Sequence, residues 1–346
     1  MTTSTQLDQQ TRPVTQNSGA TLKTSSDVIS GAYVNLEQLL QLRLQPSSNQ
    51  SLRHQGLSSP LAGMRLSKQK GRGVDFAEVR QYQPGDDIRS IDWRVTARKN
   101  TPHTKVFREE REYPALLFVD QSQTMFFGSQ QRLKSVASAE LAGRLAWRLT
   151  GHGDRVGGLV LDNGGHHLFR PARTAKATGR LLLQVARSNQ ALHRVNPASD
   201  KGAALGRLEQ ALDGLQRLSR QRLRIYIISD LVGWCRVGAL PLLDQSLGQL
   251  ARKHQVIFAQ ISDPLDAALP PTGSYTIRQG AQQLSFFSGD ARRRQRYAED
   301  YQQHLRAIEE LSHRWAAGLV RLGTDDPQWD LLDIETAAQA HVTRTS

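Results

Sequence analysis

The chain has 346 residues, which is enough for one large α/β domain with an appendage or for two modest domains. Its single cysteine, Cys235, excludes an internal disulfide and a cysteine-based metal cage and fits a reducing compartment. Lys and Arg number 45 against 32 Asp and Glu, and the resulting net charge of +13 suits nucleic acid, an acidic lipid surface or an acidic protein equally well. Because no apolar leader and no long apolar run occurs, we expect a cytoplasmic protein without a membrane span.

Two segments come before the first strand. Residues 1–26 are rich in Thr, Gln and Ser and have almost no large apolar residues, which predicts a disordered tail. Residues 27–60 are predicted to form a helix, over 27–44, followed by a polar linker. The leucines of that helix have a spacing that would place them on one face, so we expect it to cover the domain or to contact a partner. These leucines are Leu36, Leu39, Leu40 and Leu44.

Residues 61–112 alternate charged with apolar residues, unlike the segments on either side. Turn signals at Gly71-Arg72-Gly73, Pro84-Gly85-Asp86 and Asn100-Thr101-Pro102 predict short antiparallel strands joined by hairpins. Opposite charges lie close together along this segment, so we expect a salt-bridge lattice that holds it against the sheet domain. The charged residues are Arg80, Asp86, Asp87, Arg89, Asp92, Arg94, Arg98 and Arg108.

Residues 113–325 alternate apolar strands with amphipathic helices, which predicts an α/β domain with a mostly parallel sheet covered on both faces. The first strand, ALLFV at 115–119, is too short for a core helix and is typical of a buried parallel strand. Further strands are predicted in RVGGLVLD, HHLFRP, LRIYIISD, QVIFAQIS and GLVRLGT, with a hairpin in GSYTIRQGAQQLSFFSG. Helices are predicted near 131–150, 174–188, 201–220, 240–253 and 291–317, and residues 326–346 are predicted to be a tail.

Polar side chains follow two of the predicted strands directly. Asp120, Ser122 and Thr124 come after the first strand, and Asp230 ends LRIYIISD. The carboxyl ends of parallel strands form the binding edge of an open α/β sheet, so we expect Asp120 and Asp230 to share that edge. Their oxygens are ligands that suit Mg²⁺, although Asp120 and Ser122 are equally suited to capping the next helix.

The segment GRGVDFAEVRQYQPGDDIRSIDWRVTAR, followed by a strand and DQSQTM, resembles the bacterial family called domain of unknown function 58. The residues that carry the resemblance are Asp75, Phe76, Arg80, Tyr82, Pro84, Gly85, Asp86, Asp87, Arg89, Asp92, Trp93 and Arg98. The resemblance implies a von Willebrand factor A-like fold, a doubly wound and mostly parallel sheet, with an N-terminal β-rich extension in this chain. It also implies a non-catalytic partner or adaptor of a MoxR-type AAA+ ATPase, with other von Willebrand factor A-like proteins as further candidate partners.

The same resemblance implies a metal-ion-dependent adhesion site. Asp120, Ser122 and Thr124 match its first loop, and Asp230 matches its third. The second loop lacks the expected threonine and has Pro-Ala-Ser-Asp-Lys-Gly at 197–202. The ammonium of Lys201 could neutralise the two aspartates in place of a metal, so we expect a weak Mg²⁺ site or none.

We therefore expect an interaction protein rather than an enzyme. Asp120, Asp230 and Lys201 are the predicted partner-binding residues at the sheet edge, and Arg292, Arg293 and Arg294 are a second candidate surface for an acidic partner. No phosphate-binding loop and no GxSxG motif occurs. The alternatives are a metal-dependent hydrolase that uses Asp120 and Asp230, and a basic nucleic-acid-binding protein, which the lack of aromatics beside the basic clusters disfavours.

Overall fold

A computed structural model describes residues 29–44, 75–108, 114–192, 201–218, 221–232, 234, 240–279, 282–326, 329, 331 and 334. The predicted tail 1–26, the whole of the predicted linker 45–60 and the first part of the β-rich segment lie outside these residues. None of the helices in the described ranges is long and apolar enough to cross a lipid bilayer.

The described chain contains strands and helices that alternate along most of its length. The strands are β1 (Asp75–Gln81), β2 (His103–Arg108), β3 (Ala115–Gln121), β4 (Val156–Asp162), β5 (Gly165–Ala172), β6 (Arg224–Ser229), β7 (Gln255–Ser262), β8 (Ser274–Gln279), β9 (Gln282–Phe287) and β10 (Gly318–Gly323). The helices are α1 (Leu36–Gln41), α2 (Trp93–Lys99), α3 (Lys134–Gly151), α4 (Ala175–Ala191), α5 (Lys201–Leu218), α6 (Leu240–Lys253), α7 (Pro264–Ala267) and α8 (Ala291–Arg314). The predicted α/β class is confirmed.

A six-stranded sheet forms the centre of the molecule, in the order β10-β7-β6-β3-β4-β5. Neighbouring strands are parallel except at one edge, where β5 runs antiparallel to β4. That hairpin turns at Asn163-Gly164, which is the turn that the sequence predicts. The mostly parallel sheet places β3 and β6 side by side at its middle.

Both faces of this sheet are buried, which explains why its strands read as continuous apolar runs. On β3, Leu117 and Val119 belong to one core cluster, whereas Leu116 and Phe118 belong to the cluster on the opposite face. Successive side chains of a strand point to opposite faces, so a strand covered on both sides must be apolar at every position. Helices α3 and α4 supply the first cluster, and α5, α6 and α8 supply the second.

The family-signature segment contains a helix that its sequence did not predict. Strands β1 and β2 pair antiparallel as expected, but α2 lies between them instead of a further hairpin. Asp92 caps α2 by accepting hydrogen bonds from the backbone N–H groups of Arg94 and Val95. Asp87 likewise caps a 3₁₀ turn. Aspartates at these positions stabilise helix starts, so part of the predicted charge pattern serves helix capping.

One ion pair and one tight turn of the signature agree with the sequence-based expectation. Arg80 Nη2 and Asp86 Oδ1 lie 2.7 Å apart. Between them the chain turns at Pro84-Gly85, where the N–H of Asp86 donates to the carbonyl of Gln83 and Gly85 has a φ of +102°. A positive φ at the second central position of a turn favours glycine, which explains why Gly follows Pro at this turn.

The N-terminal helix is shorter than predicted, and its leucines do not share one face. Helix α1 ends at Gln41, and a 3₁₀ turn covers Leu42–Leu44. Leu39 is fully buried, whereas Leu40 and Leu44 are 39% and 83% exposed. The tighter 3₁₀ turn changes the angular spacing of the last leucines, so Leu42 rather than Leu44 continues the buried stripe.

Residues of the predicted C-terminal tail pack into the core. Trp329 and Ile334 belong to the same cluster as α3 and the N-terminal residue Ile29. The guanidinium of Arg132 lies 4.2 Å from the centroid of the Trp329 ring. The first and the last described residues therefore belong to one core cluster on the same face of the sheet.

Candidate functional site

Asp120 and Asp230 lie at the same edge of the sheet because β3 and β6 are parallel neighbours. Val119 of β3 is in register with Ile228 of β6, so Asp120 is level with Ser229. The hydroxyl of Ser229 donates a hydrogen bond to Asp120 Oδ2 over 2.7 Å. The juxtaposition expected from the two strand ends is present.

The Asp120 carboxylate is buried, and both of its oxygens accept hydrogen bonds from the protein. Oδ1 accepts the backbone N–H of Ser122 at 2.9 Å, and Oδ2 accepts the Ser229 hydroxyl. Burial, and next the nearby charge of Asp230, raise the pKa of Asp120 to about 6, although the hydrogen bonds from Ser229 and Ser122 oppose that shift. The ionised form of Asp120 is therefore less favourable at this edge than it would be in water.

Asp230 is held by a strained turn directly after β6. The next residue, Leu231, has a φ of 57°, a left-handed conformation that is uncommon for a large side chain. The backbone N–H of Val232 donates to Asp230 Oδ1 at 3.0 Å. The Asp230 N–H contacts the sulfur of the buried Met125 at 3.2 Å, which links this turn to the segment after β3.

Lys134, the first residue of α3, supplies the cation at this edge. Its Nζ lies 3.1 Å from Asp230 Oδ2 and 3.3 Å from Asp266 Oδ2. Burial acts to lower the pKa of Lys134, but Asp230 and Asp266 outweigh burial and hold that pKa above its ordinary value. The lysine is 3% exposed and stays charged, so it forms a buried ion pair.

Asp263, at the end of β7, connects three further segments to the edge. Its Oδ2 accepts the hydroxyl of Thr324 at 2.6 Å and the N–H of Ser129 at 2.9 Å. Its Oδ1 caps α7 through the N–H of Leu265. Burial acts to raise the pKa of Asp263, but these hydrogen bonds overcome burial and lower it.

The segment from Ser122 to Leu133, which we call the edge loop, is pinned along its length. Gln123 N–H donates to Asn163 Oδ1 at 3.1 Å, Ser129 N–H donates to Asp263, and the carbonyl of Phe127 accepts the N–H of Lys134. The loop nevertheless presents apolar surface, because Phe127 is 37% exposed. The neighbouring Phe126 ring packs against Tyr33, which is 41% exposed, with their centroids 5.5 Å apart.

The structure divides the predicted site residues into buried and accessible ones. Asp120 and Asp230 are 4% and 3% exposed, so a partner would first meet Thr124 and Phe127 instead. Ser122 Oγ and Thr124 Oγ1 lie 3.2 Å apart on the rim of the edge. Lys201 begins α5, but its side chain lies outside the described part of the molecule, so the hypothesis that it neutralises the aspartates stays a prediction.

The three predicted arginines of α8 have different surroundings. Arg294 donates to the carbonyls of Leu269, Pro270 and Ser288, which ties the start of α8 to the residues on either side of the β8–β9 hairpin. Arg293 is paired with the exposed Asp290 at 3.4 Å. Arg292 is exposed. Arg294 is thereby engaged within the protein, and Arg292 and Arg293 are the members of the trio that present a charged surface.

His254 is buried and His304 is half-buried, and both have a lowered pKa. His304 Nε2 lies 3.3 Å from the carbonyl oxygen of Asp230, and burial lowers its pKa. His254 Nδ1 accepts the N–H of Leu223 at 3.0 Å, and burial lowers the pKa of His254 to about 4. Because the ring is uncharged at neutral pH, His254 gains no charge–dipole stabilisation from its position after α6.

Sequence reasoning missed Lys134 and Asp266. A lysine in the first turn of a helix is unfavourable next to the positive end of the dipole, and this oddity was the available signal for Lys134. For Asp266 the signal was the spacing DPLD, in which Asp263 and Asp266 form a capping box at the start of α7. Neither signal identifies the partner of the lysine.

Fold and site together define a class: an α/β protein with a doubly wound, mostly parallel sheet whose carboxyl edge carries a buried ammonium–carboxylate cluster beneath an aromatic loop. A family model described as Protein of unknown function DUF58 matches residues 78–307. The chain belongs to this family, as the resemblance of its signature segment implies.

Similar proteins are found in mycobacteria. The uncharacterized proteins Rv1480 of Mycobacterium tuberculosis and Mb1516 of Mycobacterium bovis are each 32% identical to the chain over 276 residues, covering 78% of this chain and 81% of the relative. The uncharacterized protein MAV169 of Mycobacterium avium is 27% identical over 159 residues, covering 45% of this chain and 84% of the relative.

Two solved structures overlap with part of the chain. The conserved hypothetical protein BatB from Bacteroides thetaiotaomicron is 15% identical, with a TM-score of 0.39 and coverage of 68% of this chain and 100% of that chain. An aerotolerance-related membrane protein from Bacteroides fragilis is 14% identical, with a TM-score of 0.34 and coverage of 66% and 99%. These scores are too low to equate the folds.

Proposed function

We propose that this protein is a non-enzymatic interaction module that works with a MoxR-type AAA+ ATPase, in the assembly or maturation of another complex. We propose also that its sheet domain is von Willebrand factor A-like. The antiparallel edge strand β5 beside an otherwise parallel sheet supports that assignment. The ATPase is proposed as the partner because the resemblance of the signature segment implies it. The carboxyl edge of the sheet is proposed as the docking surface.

One observation carries the proposal: the edge loop is rigidly held and yet presents an aromatic side chain. Hydrogen bonds to Asn163 and Asp263 fix its backbone, and the buried Met125 anchors it in the core. The Phe127 side chain is partly exposed to solvent on this loop. An aromatic residue on a preorganised loop loses little conformational entropy on binding and is a typical centre of a protein–protein interface.

The experiment measures the affinity of the purified protein for the MoxR-type ATPase encoded in the same genome. Phe127→Ala is expected to weaken binding about fivefold or more, because truncating a central aromatic anchor commonly costs over 1 kcal/mol. Leu168→Ala is the matched control, since Leu168 is 39% exposed against 37% for Phe127 but lies on strand β5. Equal affinities for the two variants, or no binding by the wild type, would argue against the docking role.

The two rival functions make different demands. A hydrolase that uses Asp120 and Asp230 requires substrate turnover that Asp120→Ala abolishes. Because the oxygens of Asp120 are buried and bonded within the protein, we favour the docking role. A nucleic-acid binder driven by the net charge of +13 requires an affinity that falls steeply with salt concentration. Turnover assays and salt titrations with duplex DNA separate these alternatives from the proposal.

A further inference from the structure

The residues at the sheet edge fit a divalent cation poorly. Asp230 Oδ2, which would face such an ion, is 3.1 Å from the ammonium of Lys134, and Asp230 Oδ1 accepts the N–H of Val232. Both oxygens of Asp120 also accept hydrogen bonds from the protein. Within the described ranges no group of three or more His, Cys, Asp or Glu side chains is arranged to hold a metal ion. Mg²⁺ requires several oxygens at close to octahedral geometry, and a buried ammonium beside it would repel it.

Lys134 has the surroundings of a bound cation. Its Nζ contacts the carboxylates of Asp230 and Asp266, and it lies 5.5 Å from the centroid of the Phe127 ring. Two carboxylates and an aromatic face are typical partners of a desolvated ammonium. The position at the start of α3 is unfavourable for a positive charge, so these tertiary contacts, and not helix preference, keep the lysine there.

We propose that the ammonium of Lys134 is the resident cation of this edge and takes the place that a divalent ion has in a metal-ion-dependent adhesion site. Asp230 and Asp266, the two carboxylates that the lysine contacts, then form a latent divalent-cation site that the lysine closes. This inference goes beyond the docking role and does not depend on it. It concerns which cation balances Asp230, whether or not a partner binds the edge loop.

The assignment explains two features of the edge together. The Lys134 backbone N–H donates to the Phe127 carbonyl, so the residue that carries the charge also fixes the residue that presents the aromatic ring. Asp266 joins the cluster from α7, which Asp263 caps. A tethered cation therefore links α3, β6 and α7 permanently, whereas a dissociable ion would do so only at sufficient metal concentration.

The test is a titration of the full-length protein with Mn²⁺, followed by electron paramagnetic resonance or calorimetry. We expect no saturable binding to the wild type below ~1 mM, the weak end of the affinities known for oxygen-ligand sites. Lys134→Ser is expected to acquire one saturable site, which the additional change Asp266→Asn removes, because Asp230 and Asp266 are the carboxylates that Lys134 contacts. Lys134→Arg, which keeps the charge, and Lys176→Ser, which removes an exposed lysine of α4, are the controls and are expected to acquire none.

Three outcomes would overturn the proposal. The first is saturable Mn²⁺ binding by the wild type that Asp120→Asn abolishes, and this measurement does not depend on the folding of any Lys134 variant. The second is a folded Lys134→Ser protein without a Mn²⁺ site. The third is a Mn²⁺ site of equal affinity in Lys134→Arg, because the positive charge would then be irrelevant to the closure. A failure of Phe127→Ala to affect ATPase binding would touch only the docking role.

Discussion

At the scale of single residues, two buried groups at opposite ends of parallel strands carry shifts of opposite sign. Asp120, at the carboxyl end of β3, has its pKa raised to about 6. His254, just before β7, has its pKa lowered to about 4. Both shifts arise first from burial, which disfavours the charged form of either group. Between pH 4 and 6 the two groups therefore drive the stability of the fold in opposite directions.

The wild type is expected to lose stability as pH rises because Asp120 ionises, and Asp120→Asn is expected not to show this loss. The folded carboxyl binds its proton up to about pH 6, but the unfolded one releases it near pH 3.8, so the stabilisation is complete below pH 4 and lost by about pH 6. The free energy of unfolding of the wild type relative to the variant should fall by about 2–3 kcal/mol across this window. Urea unfolding at a series of pH values measures it.

The control for this series is Asp213→Asn, which removes an exposed aspartate of α5. Its pH profile is expected to follow that of the wild type. A stability difference between the wild type and Asp120→Asn that stays constant from pH 4 to pH 7 would contradict the prediction, because the pKa of Asp120 would then be the same in the folded and the unfolded protein.

His254→Asn is expected to have the opposite effect. The folded imidazole stays neutral down to about pH 4, while the unfolded one takes up a proton below about 6.5, so the wild type gains stability as pH rises through this range. Asparagine can keep an acceptor for the N–H of Leu223, so the variant loses the titrating group but not this hydrogen bond. The unfolding free energy of the wild type relative to the variant should therefore grow by about 3 kcal/mol from pH 4 to 7. His313→Asn, at an exposed position of α8, is the control, and identical slopes for both histidine variants would refute the prediction.

At the scale of elements, the N-terminal helix α1 is part of the domain rather than a free partner element. Its Leu39 is fully buried, and the indole N–H of Trp147 on α3 donates to the Leu39 carbonyl at 2.9 Å. The N–H of Val34 donates to Asn189 on α4, so the segment before α1 is also bound. The helix therefore serves as a cover over α3 and α4, which is one of the two roles that its sequence predicts.

Leu39→Ala should destabilise the protein by about 2–4 kcal/mol, because it removes a buried side chain and leaves a cavity against α3. Leu44→Ala is the matched control in the same segment, and at 83% exposure it should cost no more than about 0.5 kcal/mol. Thermal or urea unfolding of both variants decides the point. An equal loss of stability in the two variants would contradict the difference in burial between Leu39 and Leu44.

At the scale of the whole molecule, a single buried ion pair joins the two ends of the described chain. Arg132 Nη1 and Glu140 Oε2 lie 2.6 Å apart. Glu140 also accepts the N–H of Ile29, and Arg132 donates to the carbonyls of Thr324 and Asp326. The pair thus connects the first described residue with the segment after β10, across the start of α3.

Arg132→Met is expected to cost about 3–5 kcal/mol, because it leaves the buried Glu140 carboxylate without its closest cation. The double variant Arg132→Met/Glu140→Gln should recover part of that loss, since Gln is neutral and still accepts the N–H of Ile29. Urea unfolding of the wild type, both single variants and the double variant gives the coupling energy. Additive losses in the double variant would contradict the role of the pair as a unit.

The part of the site that the sequence by itself determined is the pair of aspartates. Apolar runs that end in Asp120 and Asp230 indicate buried parallel strands, and parallel strands bring their carboxyl ends to one edge. The same local logic determined the α/β class, the Asn163-Gly164 hairpin and most of the helices, since each depends on the spacing of neighbouring residues.

Only the tertiary structure decided which cation balances Asp230. Lys134 meets Asp230 across 96 positions of the chain and Asp266 across 132, and no local pattern encodes such contacts. The same holds for Ile29, Trp329 and Ile334, whose place in one core depends on how both chain ends pack on α3. Side-chain periodicity reports which face of an element is buried, but the partner on that face follows from the packing of the entire sheet. That packing places the Lys134 ammonium beneath the edge loop.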